Sequence, residues 1–186
     1  MFEHFKGKYE VELKFRLESL ESFRDRLMAM APEIMLEDNI ESDWYFESGQ
    51  SGLANQEKSL SIREMQPADI KLWIVKGPGP DRCEAVEINN IAIAKNMLAT
   101  MNYRQSLTVQ KVRSIYFLGE YHVTIDQLEG IGEFAEVAVM TDDVGKLDGY
   151  RRDLHALANQ LGLKEELLET RSYREICMNH SLSDCA

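Results

Sequence analysis

The sequence predicts an α+β chain built on an inside-out sheet, its strands closed around a charged interior and its helices packed outside. Two patterns predict it. Ionisable residues recur at a spacing of two inside the most β-prone runs, and apolar residues recur at helical spacing between those runs. In Tyr9-Glu10-Val11-Glu12-Leu13-Lys14-Phe15 charged and apolar side chains alternate, so a strand puts Glu10, Glu12 and Lys14 on one face. After a break at Asn102-Tyr103, the run at 108–116 puts Lys111 and Arg113 on one face at the same spacing. His122-Val123-Thr124-Ile125-Asp126 carries Asp126 on the face of His122 and Thr124, and residues 134–139 hold one charge, Glu136, in an otherwise apolar strand. Arg63 follows Leu60-Ser61-Ile62, Lys76 closes Leu72-Trp73-Ile74-Val75, and Arg82 and Glu84 begin the next strand-like run.

An ordinary amphipathic strand, polar side to water, explains any one of these segments. Exposed salt bridges do not explain why the charges recur in the most apolar, β-prone runs, and a charge buried without a partner is costly. Counted together, the acids are Glu10, Glu12, Glu84, Asp126 and Glu136, and the cations Lys14, Arg63, Lys76, Lys111 and Arg113. That balance suits a polyphosphate carrying its own divalent cation. Carboxylate oxygens are hard ligands for Mg2+ or Mn2+, while lysine and arginine neutralise the remaining phosphate oxygens.

The helices read as structural. Leu20, Phe23, Leu27 and Met28 give helical spacing after Ser19; Ile91, Ile93, Met97, Leu98 and Met101 form a second apolar stripe, its methionines read as core. A third helix follows Thr141-Asp142-Asp143, with Leu147, Tyr150, Leu154, Leu157 and Leu161 as its buried line. Gly77-Pro78-Gly79-Pro80 lacks the lysine and hydroxyl residue of a phosphate-cradling loop and reads as a turn, and Gly130-Ile131-Gly132 as a tight strand connection.

The chain of 186 residues, 44% hydrophobic, fits one domain spanning 1–186. A formal charge of −11 argues against a nucleic-acid backbone or an anionic membrane as partner, so the cations act locally. No stretch approaches a membrane span and Met1-Phe2-Glu3-His4-Phe5-Lys6 lacks the layout of a signal peptide, so a cytoplasmic location is expected. Cys83, Cys177 and Cys185 have no paired spacing and are expected as reduced thiols. His122 is the one histidine on a candidate cavity face, and reads otherwise as a partly exposed strand residue. No serine or cysteine sits in a nucleophile motif, which leaves acyl transfer without support.

Glu10-Val11-Glu12-Leu13-Lys14 resembles the ExExK motif of the CYTH superfamily, whose name joins CyaB cyclases and thiamine triphosphatases. The resemblance continues in order through Arg63, Lys76, Glu84, Lys111-Val112-Arg113, Asp126 and Gly130-Ile131-Gly132-Glu133-Phe134-Ala135-Glu136. Within the superfamily, the segments at 7–15, 72–79 and Arg171-Ser172-Tyr173-Arg174 look most like bacterial class IV adenylyl cyclases. The resemblance implies an antiparallel β-barrel or tunnel of the triphosphate tunnel type. It implies Glu12 and Glu136 as ligands of a catalytic Mg2+ or Mn2+, with Glu10 and Asp126 as further ligands or supports. Arg63, Lys76, Lys111 and Arg113 are then expected to hold a triphosphate, Lys14 to stabilise charge at the reacting phosphorus, and Glu84 to orient one of the cations. The implied reaction converts ATP to 3',5'-cyclic AMP and pyrophosphate, in a homodimer. Hydrolysis of inorganic or thiamine triphosphate is the rival, and a non-catalytic polyphosphate-binding protein the third reading. Triphosphatase relatives often carry a second acid two residues beyond the equivalent of Glu136; here that residue is Ala138, which favours the cyclase. The Ser172-Tyr173-Arg174 tail is expected to fold back over the site.

Overall fold

The computed structural model describes residues 3–49 and 52–183, the last three as backbone only, so the expectations for Met1, Phe2 and Cys185 lie outside the described residues. In chain order the elements are β1 (Tyr9–Arg16), α1 (Leu20–Ala29), β2 (Glu33–Ser48), β3 (Ser59–Gln66), β4 (Ile70–Lys76), β5 (Cys83–Glu87), α2 (Ile91–Thr100), β6 (Tyr103–Leu118), β7 (Tyr121–Leu128), β8 (Gly132–Thr141), α3 (Leu147–Gln160) and α4 (Tyr173–Ser183). The strand order is β1-β8-β7-β6-β2-β3-β4-β5. The chain forms two compact units: Met1–Asn39 with Lys111–Arg171, and Ile40–Gln110 with Ser172–Ala186.

In the first unit β1 pairs with β8, β8 with β7, and β7 with β6, all antiparallel. Alternation along each strand sends Val11, Leu13, Phe15, Val123, Ile125, Ala135, Val137 and Val139 to one face. They are buried there against Phe23 and Leu27 of α1 and Leu154, Leu157 and Leu161 of α3. Ser19 starts α1 as expected, its hydroxyl accepting from Ser22 N at 3.2 Å. Its buried line is Leu20, Phe23 and Leu27; Met28 falls on the exposed side. Truncating a fully buried phenylalanine costs about 3–5 kcal/mol, so Phe23→Ala would undo much of the seat of α1. Asp143 caps a short 3-10 turn ahead of α3, accepting from Gly145 N at 2.9 Å.

In the second unit β2, β3, β4 and β5 pair antiparallel in sequence order. Phe46, Leu60 and Ile62 pack against Ala94 and Leu98 of α2, joined by Trp44, Trp73, Ile88, Ile91 and Tyr103. Asn90 caps α2 by accepting from Ile93 N at 2.9 Å. The expected stripe on α2 is corrected: Ile93, Met97 and Met101 are exposed, and the buried line is Ile91, Ala94 and Leu98. Both sets have helical spacing, and only the smaller Ala94 lets the helix lie close on the strands.

Gly77 turns the chain between β4 and β5 with φ 86°, its N donating to Arg82 O at 2.8 Å. A side chain there would strike the Glu57 carbonyl, so the segment is a glycine-dependent turn, as its sequence indicates. Gly130, at φ 71°, connects β7 to β8 in the same manner. Asn102, at φ 65°, supplies the break before β6. Among the described residues no helix is long and apolar enough to cross a membrane.

Candidate functional site

The register of the first unit gathers its charges into rows. Lys14 pairs with Glu136, Glu136 with Thr124, Asp126 with Arg113, and Glu12 with Ala138, itself opposite His122. Because parity is preserved across paired strands, Glu10, Glu12, Lys14, Lys111, Arg113, Asp126 and Glu136 share the face opposite the apolar core. Arg113 clasps Asp126 with two parallel bonds, Nε to Oδ1 at 2.6 Å and Nη2 to Oδ2 at 2.5 Å. The same Nη2 donates to Glu136 Oε2 at 2.6 Å, which also accepts from Thr124 Oγ1 at 3.3 Å. Lys14 Nζ stands 3.7 Å from the other oxygen, Glu136 Oε1. Asp126 is wholly buried, Glu136 is 4% exposed and Arg113 8%, with Lys14 and Lys111 also buried. Charges removed from water this far persist only when paired, and a bidentate arginine is the strongest such pairing.

Glu10 and Glu12 are half-buried on β1. His122 Nε2 lies 3.6 Å from Glu10 Oε1, with the Phe5 ring 4.8 Å from the imidazole. At 4% exposure His122 is therefore a buried residue of this face, which corrects its reading as a partly exposed one. The cause is the N-terminal turn Glu3–Phe5, whose His4 stacks on Phe117 at 3.8 Å and closes over it.

The second unit builds its own cluster. Arg63 lies opposite Asp43 and donates Nε to Oδ1 at 2.7 Å and Nη2 to Oδ2 at 2.9 Å, with Glu41 Oε1 3.0 Å from Nη2. Glu41 and Asp43 are buried and Arg63 is 19% exposed. Tyr45 follows on the same face, and burial, with the Asp43 carboxylate beside it, pushes its hydroxyl well above the ordinary tyrosine value. The positive charges of Arg63 and Lys76 act on it in the opposite sense. Tyr45 thus stays a neutral donor. Lys76 is exposed at the end of β4, opposite Cys83.

Glu84 does not orient these cations. It pairs with Val75, one position from Lys76 and so on the opposite face, where it accepts from Arg82 at 2.7 Å. Sequence reasoning missed Glu41, Asp43 and Tyr45. The signal was present in Glu41-Ser42-Asp43-Trp44-Tyr45-Phe46, where acids alternate with residues of the other face. Ser42 and the acidic run before it hide the alternation.

The donor set of the first unit suits a hard divalent ion. Glu10 and Glu12 are neighbours on one face and Glu136 belongs to the adjacent strand, all with carboxylate oxygens. Asp126, both of its oxygens on Arg113, holds that guanidinium in place. Among the described residues no three acidic, histidine or cysteine side chains already converge as metal ligands.

The CYTH domain family matches residues 8–173. The adenylate cyclase CyaB of Aeromonas hydrophila is 55% identical over 175 residues, covering 94% of this chain and 92% of that protein. The X-ray structure of an adenylate cyclase candidate from Vibrio parahaemolyticus superposes with a TM-score of 0.90 at 48% identity, covering 93% of this chain and 99% of the other. A Hippeastrum protein described as having a dominant triphosphatase activity shares the fold, with a TM-score of 0.65 at 16% identity over 92% of this chain and 96% of that one. With its α+β antiparallel fold and these relatives, the chain belongs to the CYTH family.

Proposed function

We propose that this chain is a class IV adenylyl cyclase that converts ATP to 3',5'-cyclic AMP and pyrophosphate with Mg2+ or Mn2+. The observation that carries the reading is the buried row of the first unit, where Lys14 and Arg113 stand beside carboxylates and the buried Lys111 shares the face of Arg113. The kinship with CyaB supports ATP as the substrate.

In this reading Lys14, Lys111 and Arg113 bind the triphosphate, and Arg63 and Lys76 are further phosphate-binding groups. Glu10, Glu12 and Glu136 hold the divalent ion, which when bound lowers the pKa of a coordinated hydroxyl and screens phosphate charge. Asp126 and Thr124 fix Arg113 and Glu136, so that the cations meet the phosphates without rearrangement. The ribose 3'-hydroxyl is oriented in line with the α-phosphate, and Lys14 neutralises charge developing at that phosphorus. No protein nucleophile is needed, because positioning and electrostatic stabilisation supply most of the catalysis in phosphoryl transfer, and nucleotidyl transfer follows the same logic.

Ala138 favours the cyclase over a triphosphatase. It lies opposite Glu12 and is buried, so an acid there would add a carboxylate beside Glu12 that this chain lacks. A homodimeric, cytoplasmic enzyme is part of the same proposal. The test is product analysis by chromatography after incubation with ATP, and separately with inorganic triphosphate, plus Mg2+ or Mn2+. Cyclic AMP with pyrophosphate is expected. Orthophosphate without cyclic AMP would move the assignment to a triphosphatase, and metal-dependent binding without product to a polyphosphate-binding protein.

A further inference from the structure

The end of β1, the first turns of α1 and the segment that follows α3 border a cleft of about 130 Å³ that shares no residue with either charge cluster. Its lining lies within residues 16–26 and 162–167, wholly inside the first unit. A single water needs only ~10–15 Å³, so the space takes a polyatomic ion.

Three cations, Arg16, Arg26 and Lys164, line the cleft against one acid, Glu18, in a chain whose formal charge is −11. Both arginines are anchored by Nε. Arg26 donates it to Leu161 O at 2.9 Å, packed so closely on Gly162 that a side chain there would come within 2.9 Å of that nitrogen. Arg16 donates its Nε to Glu169 Oε2 at 3.2 Å and lies 4.7 Å above the Phe134 ring, with Nη1 3.5 Å from Ile131 O. A guanidinium fixed in this way keeps terminal donors for a ligand and loses little freedom on binding it.

Among the described residues no carboxylate pairs with Arg26. Lys164 Nζ pairs with Glu18 Oε2 at 2.7 Å. That carboxylate, by hydrogen bond and by charge, holds the ammonium above the ordinary lysine value, while the positive charge of Arg26 acts in the opposite sense. Arg26 and Lys164 therefore repel each other, and Glu18 answers only one of them. An oxyanion between them turns the repulsion into two charge-assisted bonds, and Ser22 adds a neutral hydroxyl to the lining.

We propose that this cleft is a binding site for a small tetrahedral oxyanion of the phosphate class, held by Arg26 and Lys164 with Arg16 and Ser22 in support. It is separate from the row of Lys14, Lys111 and Arg113, and it does not depend on the reaction assigned there.

The test is a nuclear magnetic resonance titration of the 15N-labelled full chain with inorganic phosphate at constant ionic strength, with sodium chloride as the reference salt. The amides of Ser22, Leu163 and Lys164 are expected to shift and saturate with phosphate and to stay in place with chloride. Loss of one charge-assisted contact in Arg26→Ala raises the Kd read from those amides by about tenfold or more. Lys111→Ala, in the buried row, leaves that Kd unchanged. Shifts that never saturate, or that chloride reproduces, would overturn the proposal. So would equal affinity in Arg26→Ala and the natural protein. Loss of the shifts in Lys111→Ala would overturn it too, because they would then report phosphate bound in the row. If Arg26→Ala fails to fold, Lys164→Ala replaces it, since that side chain is half exposed. Severalfold weaker binding is expected there, and an unchanged Kd overturns the proposal.

Discussion

The two units solve the same problem with one motif and different surroundings. In each, an arginine uses Nε and Nη2 to clasp an aspartate directly opposite on the neighbouring strand, and turns Nη2 to a glutamate as well. Around Arg113 the partners come from two further strands, Asp126 on β7 and Glu136 on β8, and Lys14 adds a second cation from β1. Around Arg63 both acids come from β2, two residues apart, and the arginine keeps contact with solvent. A cluster knitted across several strands is intolerant of change, because each member satisfies groups that cannot turn to water. A cluster held by one strand at an arginine that still reaches solvent tolerates more.

The largest expected effect follows from Glu136, which serves Arg113, Thr124 and Lys14 together. Glu136→Ala should abolish cyclic AMP formation and also lower stability by about 3–5 kcal/mol, because it breaks a buried pair and strands its cations. Urea unfolding measures this, and a stability equal to that of the natural protein would show that the row is not energetically coupled. Glu12→Ala, at a half-buried position, should abolish metal-dependent turnover with the unfolding midpoint nearly unchanged. Asp43→Ala should cost less than Glu136→Ala, about 1–3 kcal/mol, since Glu41 still serves Arg63. If the two substitutions cost the same, the contrast between the units fails.

A smaller effect belongs to pH. Arg171, through a side-chain hydrogen bond, holds the Glu169 carboxyl down from 4.5 to about 2, with Arg16 contributing. A depressed folded-state value stabilises the native state above the unfolded value, and that stability is lost as pH falls from about 4.5 through about 2. Glu169→Gln should therefore flatten the acid limb of a stability profile measured by thermal unfolding. An unchanged limb would remove Glu169 from the account. The smallest effect is that of Ser172→Ala, which removes the cap of α4 and should cost about 1 kcal/mol, read as a modest fall in unfolding midpoint.

Much of the first cluster was legible in the sequence because strand parity is local. Glu10, Glu12 and Lys14, or Lys111 and Arg113, share a face wherever their strand is placed, and the ordered resemblance to the CYTH family joined these segments. The second cluster was only half legible. Arg63 stood out among apolar neighbours, whereas Glu41 and Asp43 sat in an acidic stretch that gives no sign of being buried. Glu84 was misplaced because one residue of register exchanges the faces, and the end of β4 did not reveal that register.

The sequence by itself determined which residues alternate, where the first helix begins at Ser19, and where glycine turns the chain at 77 and 130. Those are consequences of backbone sterics and neighbouring side chains, and they hold before any long-range contact forms. Only the tertiary structure decided which cation meets which acid, that His122 is covered by the N-terminal turn, that α2 rests on Ala94 and Leu98 instead of Met97, and that Arg26 arrives beside Leu161. Each of these depends on register between strands or on which helix face is covered. Those are properties of pairs of distant segments, fixed by packing and pairing that a single stretch of sequence does not contain.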